Sequence, residues 1–251
     1  MRLGPYRHAV PLGDCAHPQS ARAIPLERGS SGTFAAAVVA SLLAALALLP
    51  SVSARTVVRE WAFTEEVPHV ARLGLATPVA VAGEWEIAAH EGATGGRALL
   101  NHPGSGDLPA IAVTGSMRAA EARATTRCRA RADLRSRSCG LVFAFRDLKN
   151  YHVARVDSGD SRVILASVVD GQERTLIEAR LEPREAQAWF EIQIETRSGN
   201  VDVWLDGARV ANAVPIGSPG GAVGLWAPPS GAAAFDRLRV DADVGPAIAG
   251  L

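Results

Sequence analysis

Residues 189–207, WFEIQIETRSGNVDVWLDG, carry spacing that could do chemistry. Glu191, Gln193 and Glu195 recur every second residue, so on a strand they share one face. Two carboxyl groups about 5–5.5 Å apart are what a retaining glycosidase uses as nucleophile and acid/base. The same spacing arises on any solvated strand. Phe190, Ile192 and Ile194 occupy the alternate positions and are expected to fill the core. That turns Glu191, Gln193 and Glu195 away from it, as a solvated or groove-facing row rather than a catalytic pair.

A second stretch, NYHVAR at 150–155, places Tyr151, Val153 and Arg155 on one face and Asn150, His152 and Ala154 on the other. Tyr151 and Arg155 could hydrogen-bond sugar hydroxyls, and His152 could move a proton near neutral pH. The plainer alternative packs Tyr151 at a sheet edge and pairs Arg155 with Asp157 or Asp147. Trp204 and Trp226 alternate with inward Val203, Leu205, Val223 and Leu225, so both rings are expected to point outward. An outward ring is either covered by a loop or free to stack on a pyranose. Trp61, Trp85 and Trp189 are expected to cap the core.

Other chemistries find no support. Lys plus Arg and Asp plus Glu are 26 each, which gives no electrostatic reason to expect nucleic acid or an anionic membrane as partner. There is no Gly-rich phosphate loop with Lys, no G-x-S-x-G elbow, no H-E-x-x-H and no D-x-D-x-D-G loop.

Residues 34–49, FAAAVVASLLAALALL, are uncharged and apolar, follow Arg22 and Arg28, and precede PSVSA at 50–54. This is the n-region, h-region and small-residue site of a signal peptide. Residues 1–54 are therefore expected to leave after Ala54, and the remainder to be secreted or periplasmic, with no membrane contact after cleavage. A retained anchor is the alternative, since a span needs only about 20 apolar residues. The stretch before the h-region is long for an n-region, and a start codon placed too far upstream is one explanation. Cys128 and Cys139 remain after cleavage, both at apolar-facing positions of what reads as a hairpin, and a disulfide is expected. Two buried thiols are the alternative.

The elements that must hold these residues are strands. After residue 55, short alternating runs are separated by Gly, Asp, Asn or Pro. They predict strands near 57–63, 84–89, 97–101, 110–114, 121–132, 139–146, 150–157, 162–169, 173–180, 189–196, 201–206, 209–213, 221–226 and 234–241. Asp-Gly at 170–171 and 206–207 and RSGN at 197–200 mark hairpins. So many strands in one stretch predict an all-β, two-sheet antiparallel β-sandwich over 55–242, with a loose tail at 243–251. Residues 64–80 and 92–96 read as loops.

The order of the pieces resembles a concanavalin A-like jelly roll, and more closely the bacterial exported domains grouped with the 3-keto-disaccharide hydrolases and labelled as family 16 glycoside hydrolase-like. The resemblance is carried by WAF at 61–63, GEWEI at 83–87, GRALLN at 96–101, CGLVFAFRDLKNYHVARVDSG at 139–159 and RVILASVVDGQERTL at 162–176. Trp189, VDVWLDG at 201–207, GAVGLWA at 221–227 and FDRLRV at 235–240 complete it. True family 16 hydrolases carry E-x-D-x-E on the catalytic strand; EIQIE has Gln193 at the Asp position and lies too late in the order. The resemblance implies that the residue after Tyr151 is usually aromatic, where this chain has His152. It also implies a structural calcium in some members, with Asp236 as a ligand here beside Glu65 and backbone carbonyls.

The first expectation for function is thus an exported carbohydrate-binding domain. Its site would use Tyr151, His152, Arg155, Trp204 and Trp226, and its partner would be an oligo- or polysaccharide. A glycoside hydrolase of the resembled type, with no catalytic residues identified, and an adhesion or structural sandwich without small ligand are the alternatives. No cofactor is expected beyond that calcium.

Overall fold

Alternation between apolar and polar residues resolves into fifteen strands in a computed structural model, which describes residues 55–64, 78–104, 106–131, 134, 136–185, 188–217 and 220–244. The expected signal segment, the cleavage site, Glu65 and most of the tail lie outside the described residues. The strands are β1 (Arg55–Trp61), β2 (Val79–Ala82), β3 (Glu84–Ala89), β4 (Arg97–His102), β5 (Ala110–Ala119), β6 (Glu121–Ala130), β7 (Ser138–Asp147), β8 (Asn150–Asp157), β9 (Arg162–Val169), β10 (Gln172–Arg180), β11 (Phe190–Arg197), β12 (Asn200–Leu205), β13 (Ala208–Pro215), β14 (Gly221–Ala227) and β15 (Ala233–Val244). No helix occurs among the described residues.

Two antiparallel sheets share these strands. Sheet A runs β13-β12-β11-β6-β15-β4-β3, with β1 also paired to β15. Sheet B runs β10-β9-β8-β7-β14-β5-β2. This is the two-sheet, concanavalin A-like jelly roll that the order of motifs implied. The Asp170-Gly171, Ser198-Gly199 and Asp206-Gly207 pairs all have positive φ, as two-residue hairpins of the favoured hand require.

The inward faces meet in one core. Leu99, Leu141, Phe143, Leu165, Ile192, Ile194, Leu225, Phe235 and Leu238 are all buried there, each worth roughly 1.5–3 kcal/mol of transfer free energy. Trp61 and Trp85 belong to it as expected. Strands β6 and β7 are not a hairpin: β6 pairs with β11 and β15 in sheet A, β7 with β8 and β14 in sheet B. The Cys128–Cys139 disulfide therefore crosses the core from sheet to sheet, with Cα atoms 6.1 Å apart.

The outward faces differ in chemistry. Sheet A is polar outside, with Arg123 and Arg197 both on Glu195 and Arg237 on Glu191. Sheet B is apolar outside. Ile111, Val113, Val142, Val153, Ile164, Ala166, Val168 and Trp226 form a second buried cluster on the side away from the core. No described strand forms a third layer over it. Its edge strand β10 is charged and bulged between Thr175 and Ile177, and the opposite edge strand β2 is short and bulged too. In sheet A, the edge strand β13 is irregularly paired and ends in Pro215.

Candidate functional site

Strand β8 presents Tyr151 and Arg155 on the outer face of sheet B. Its neighbour β7 places Gly140 opposite Arg155, and β14 places Trp226 opposite Gly140. The three positions form one cross-strand row, and the missing side chain at Gly140 lets its neighbours meet above the backbone. The Arg155 guanidinium lies 5.1 Å from the centre of the Trp226 ring. A Cβ on Gly140 would strike the Ala154 carbonyl oxygen and come within 2.7 Å of the Arg155 Cα. The row is therefore a close approach that only glycine permits.

Glu173 on β10 fixes the guanidinium. Arg155 Nη1 donates to Glu173 Oε2 at 3.0 Å and Nη2 to Oε1 at 2.7 Å, a bidentate fork. Glu173 is 40% exposed and Arg155 14%. Sequence reasoning named Asp157 or Asp147 as the partner of Arg155 and passed over Glu173. Its QERTL context reads as a solvated edge; the register places it in the row of Val168 and Tyr151, and the long Arg155 side chain reaches it diagonally across β9.

Trp226 does point outward, but it is 4% exposed and Tyr151 is 6% exposed. Neither ring offers an open face. Arg155 caps the indole, whose N–H lies near the Tyr151 oxygen without reaching hydrogen-bond geometry to any acceptor. Burial raises the Tyr151 phenol above its ordinary value.

The other expected residues stand elsewhere. Trp204 is on β12 of sheet A, between Gln193 and Arg209, so it faces away from Trp226 across the whole sandwich. A single groove lined by Tyr151, Arg155, Trp204 and Trp226 is thus corrected. Outward alternation was right for both tryptophans, but they belong to different sheets. Trp204 is half-buried, with the Arg209 guanidinium 5.0 Å from its ring centre. His152 faces inward and stacks on Phe143 at 5.5 Å. Burial and the Arg146 charge hold its imidazole below the usual value.

Glu191 and Glu195 are spoken for by Arg237 and by Arg123 and Arg197, and Gln193 lies between Trp204 and Thr125. The polar-row reading of that strand matches this arrangement.

Asp236 sits at a bulge between Phe235 and Arg237 of β15, which turns two successive side chains outward. It is 2% exposed. Its Oδ1 accepts from the Thr94 amide at 2.9 Å, and its Oδ2 from the Thr94 hydroxyl at 2.6 Å and Arg127 Nη1 at 3.0 Å. Arg127 also donates to the Gly92 carbonyl and rests 4.9 Å over the Trp189 ring, while His90 meets that ring edge-on. These donors do not fit a calcium ion. Asp236 is one carboxylate, a guanidinium occupies the cation's role, and no three His, Cys, Asp or Glu side chains among the described residues group to hold a metal. What Asp236 does is pin the 90–96 loop, of which the sequence placed 92–96, onto sheet A.

No protein-family model matches the sequence, and no curated protein matches it. Solved structures do. The chain is similar to the carbohydrate-binding module CBM66 from Bacillus subtilis, with TM-score 0.55 and 18% identity over 65% of this chain and 94% of that one. It is also similar to SO2946 from Shewanella oneidensis MR-1, a protein of unknown function, with TM-score 0.53 and 9% identity over 91% of this chain and 100% of that one. At these identities the likeness is one of fold.

Proposed function

We propose that this chain binds a saccharide outside the cytoplasm, through the outer face of sheet B at Arg155 and Glu173. The observation that carries the reading is the bidentate Arg155–Glu173 pair seated on Trp226. The pair holds donors and acceptors in fixed positions on an apolar floor, the arrangement expected of a small-molecule site. Adjacent sugar hydroxyls need both donors and acceptors. Arg155 has five N–H donors, and the fork to Glu173 uses two of them. Glu173 keeps lone pairs and solvent access. A sugar meets this polar rim first and the Trp226 ring only when the guanidinium swings aside. A fold shared with a module named for carbohydrate binding supports the reading, and the disulfide suits an oxidising compartment.

The test is a glycan array with the full chain, beside Arg155→Ala, Glu173→Gln and Trp204→Ala. Binding that falls in the first two variants and persists in the third supports the sheet B face. Loss in Trp204→Ala alone moves the site to sheet A, and no binding to any glycan rejects the function.

A further inference from the structure

The outer face of sheet A carries a row of side chains that crosses four strands. Trp204 on β12 stands opposite Gln193 on β11, Gln193 opposite Thr125 on β6, and Thr125 opposite Arg239 on β15. Their neighbours in sequence, such as Val203, Ile192, Ala124 and Val240, lie in the core, so the row itself points outward. Three strand spacings separate Trp204 from Arg239, about 14 Å. Ion pairs wall the row on both sides. Arg237 holds Glu191 on one side, and Arg123 and Arg197 hold Glu195 on the other. At the far end Arg239 is held by Asp241. Between the walls, Gln193 and Thr125 are half-buried, neutral and open to solvent, and make no side-chain hydrogen bond among the described residues. Each offers both a donor and an acceptor. At the near end the half-buried Trp204 ring lies under the Arg209 guanidinium, whose partner is the exposed Asn212.

We propose that this trough binds a short, neutral, linear oligosaccharide laid across the strands, with one pyranose ring on Trp204 and the next on Gln193 and Thr125. The chemistry of the row sets the ligand. The walls neutralise their own charges, so an acidic or basic ligand finds no unpaired counter-charge there. The amide and the hydroxyl supply the donors and acceptors that sugar hydroxyls need, and the indole supplies an apolar surface for the C–H face of a ring. Arg209 is exposed, so a sugar ring can take its place over the indole while the guanidinium turns to water. A row of this length exceeds one pyranose, which makes the ligand a chain. The inference does not rest on the sugar reading of the Arg155 face, because the two sites lie on different sheets and share no residue.

The probes are cellohexaose and maltohexaose, titrated into the full chain labelled with nitrogen-15. Each of the five tryptophans gives one indole N–H resonance, and Trp204→Phe identifies that of Trp204 by its loss. At least one probe should move the Trp204 resonance at millimolar concentration or below. By calorimetry, Gln193→Ala should weaken that binding severalfold and Trp204→Ala about tenfold, the values of one hydrogen bond and one stacked ring. Gln193 is on the solvated face, so its variant keeps the test open if loss of the indole unfolds the chain. A hexamer of galacturonate, which adds carboxylates to a similar backbone, is the control. The proposal is overturned if neither neutral hexamer moves the Trp204 resonance, if the acidic hexamer binds as well, or if Gln193→Ala leaves the affinity unchanged. Arg155→Ala separates the two faces. The Trp204 response should persist in that variant, and its disappearance would overturn the proposal too, whereas an unmoved Trp226 resonance in the parent counts against the sheet B reading alone.

Discussion

Cys128 and Cys139 are eleven residues apart in the chain yet stand on opposite sheets, joined through the core. The connection from β6 to β7 is therefore a loop that changes sheets, and the disulfide closes it. In the chain-entropy account, a closed loop of this length restrains the unfolded chain by about 3 kcal/mol. Replacing both cysteines by Ala should lower the unfolding free energy by about that amount, read from urea titration against the oxidised parent. Equal midpoints for the two would show that the bond contributes nothing.

The Asp236–Arg127 contact predicts a loss and an insensitivity. Asp236→Asn strands a cation against Trp189 and releases Thr94, at a cost of about 3 kcal/mol by analogy with other broken buried pairs. Adding or chelating calcium should leave the thermal midpoint of the parent where it is. A midpoint that rises with calcium would mean that a metal, not the guanidinium, holds the 90–96 loop.

Gly140 sets the height of Arg155 over Trp226. Gly140→Val pushes a side chain into the Ala154 carbonyl and the Arg155 backbone. Overpacking of this kind costs about 1–3 kcal/mol, and here it also lifts the guanidinium off the indole. Urea unfolding reports the first effect and tryptophan fluorescence the second. A Val variant with the parent's stability and spectrum would contradict the close approach.

Acid should destabilise the domain before its carboxylates titrate. Burial holds His90 and His152 below their ordinary value of 6.5. Arg129, Glu91 and Asp236 face His90, and Arg146 and the Ile216 carbonyl face His152. A group depressed in the folded state takes up its proton more readily when unfolded. The stabilisation is therefore complete above the ordinary value and is lost as pH falls below it. Thermal midpoints should decline as pH falls below 6.5, and less steeply in His152→Gln. A flat profile in the parent over that window would refute the assignment.

Local alternation made most of the strands legible, because apolar residues at every second position in β8, β11 and β12 can be buried on only one face. It failed for β2, four small residues in VAVA with too little apolar bulk to stand out, and for the end of β5 beyond Gly115. The disulfide was readable as two inward cysteines, but not as a bridge between sheets. Alternation says inward or outward and is silent on which sheet a strand joins. The same silence put Trp204 beside Trp226. Sheet membership comes from pairings between strands far apart in sequence, such as β6 with β11 and β7 with β14. Glu173 stayed hidden for a related reason, since it acquires its meaning from Arg155, two strands away across β9.

The edge strands bear on how this chain tolerates crowding. An edge with free backbone groups is a template on which another molecule can add a strand, and repeated addition ends in fibres. The irregular pairing and proline of β13, the charged and bulged β10 and the brevity of β2 each spoil that template. Those three edges are therefore poor places for a second copy of the chain to add a strand.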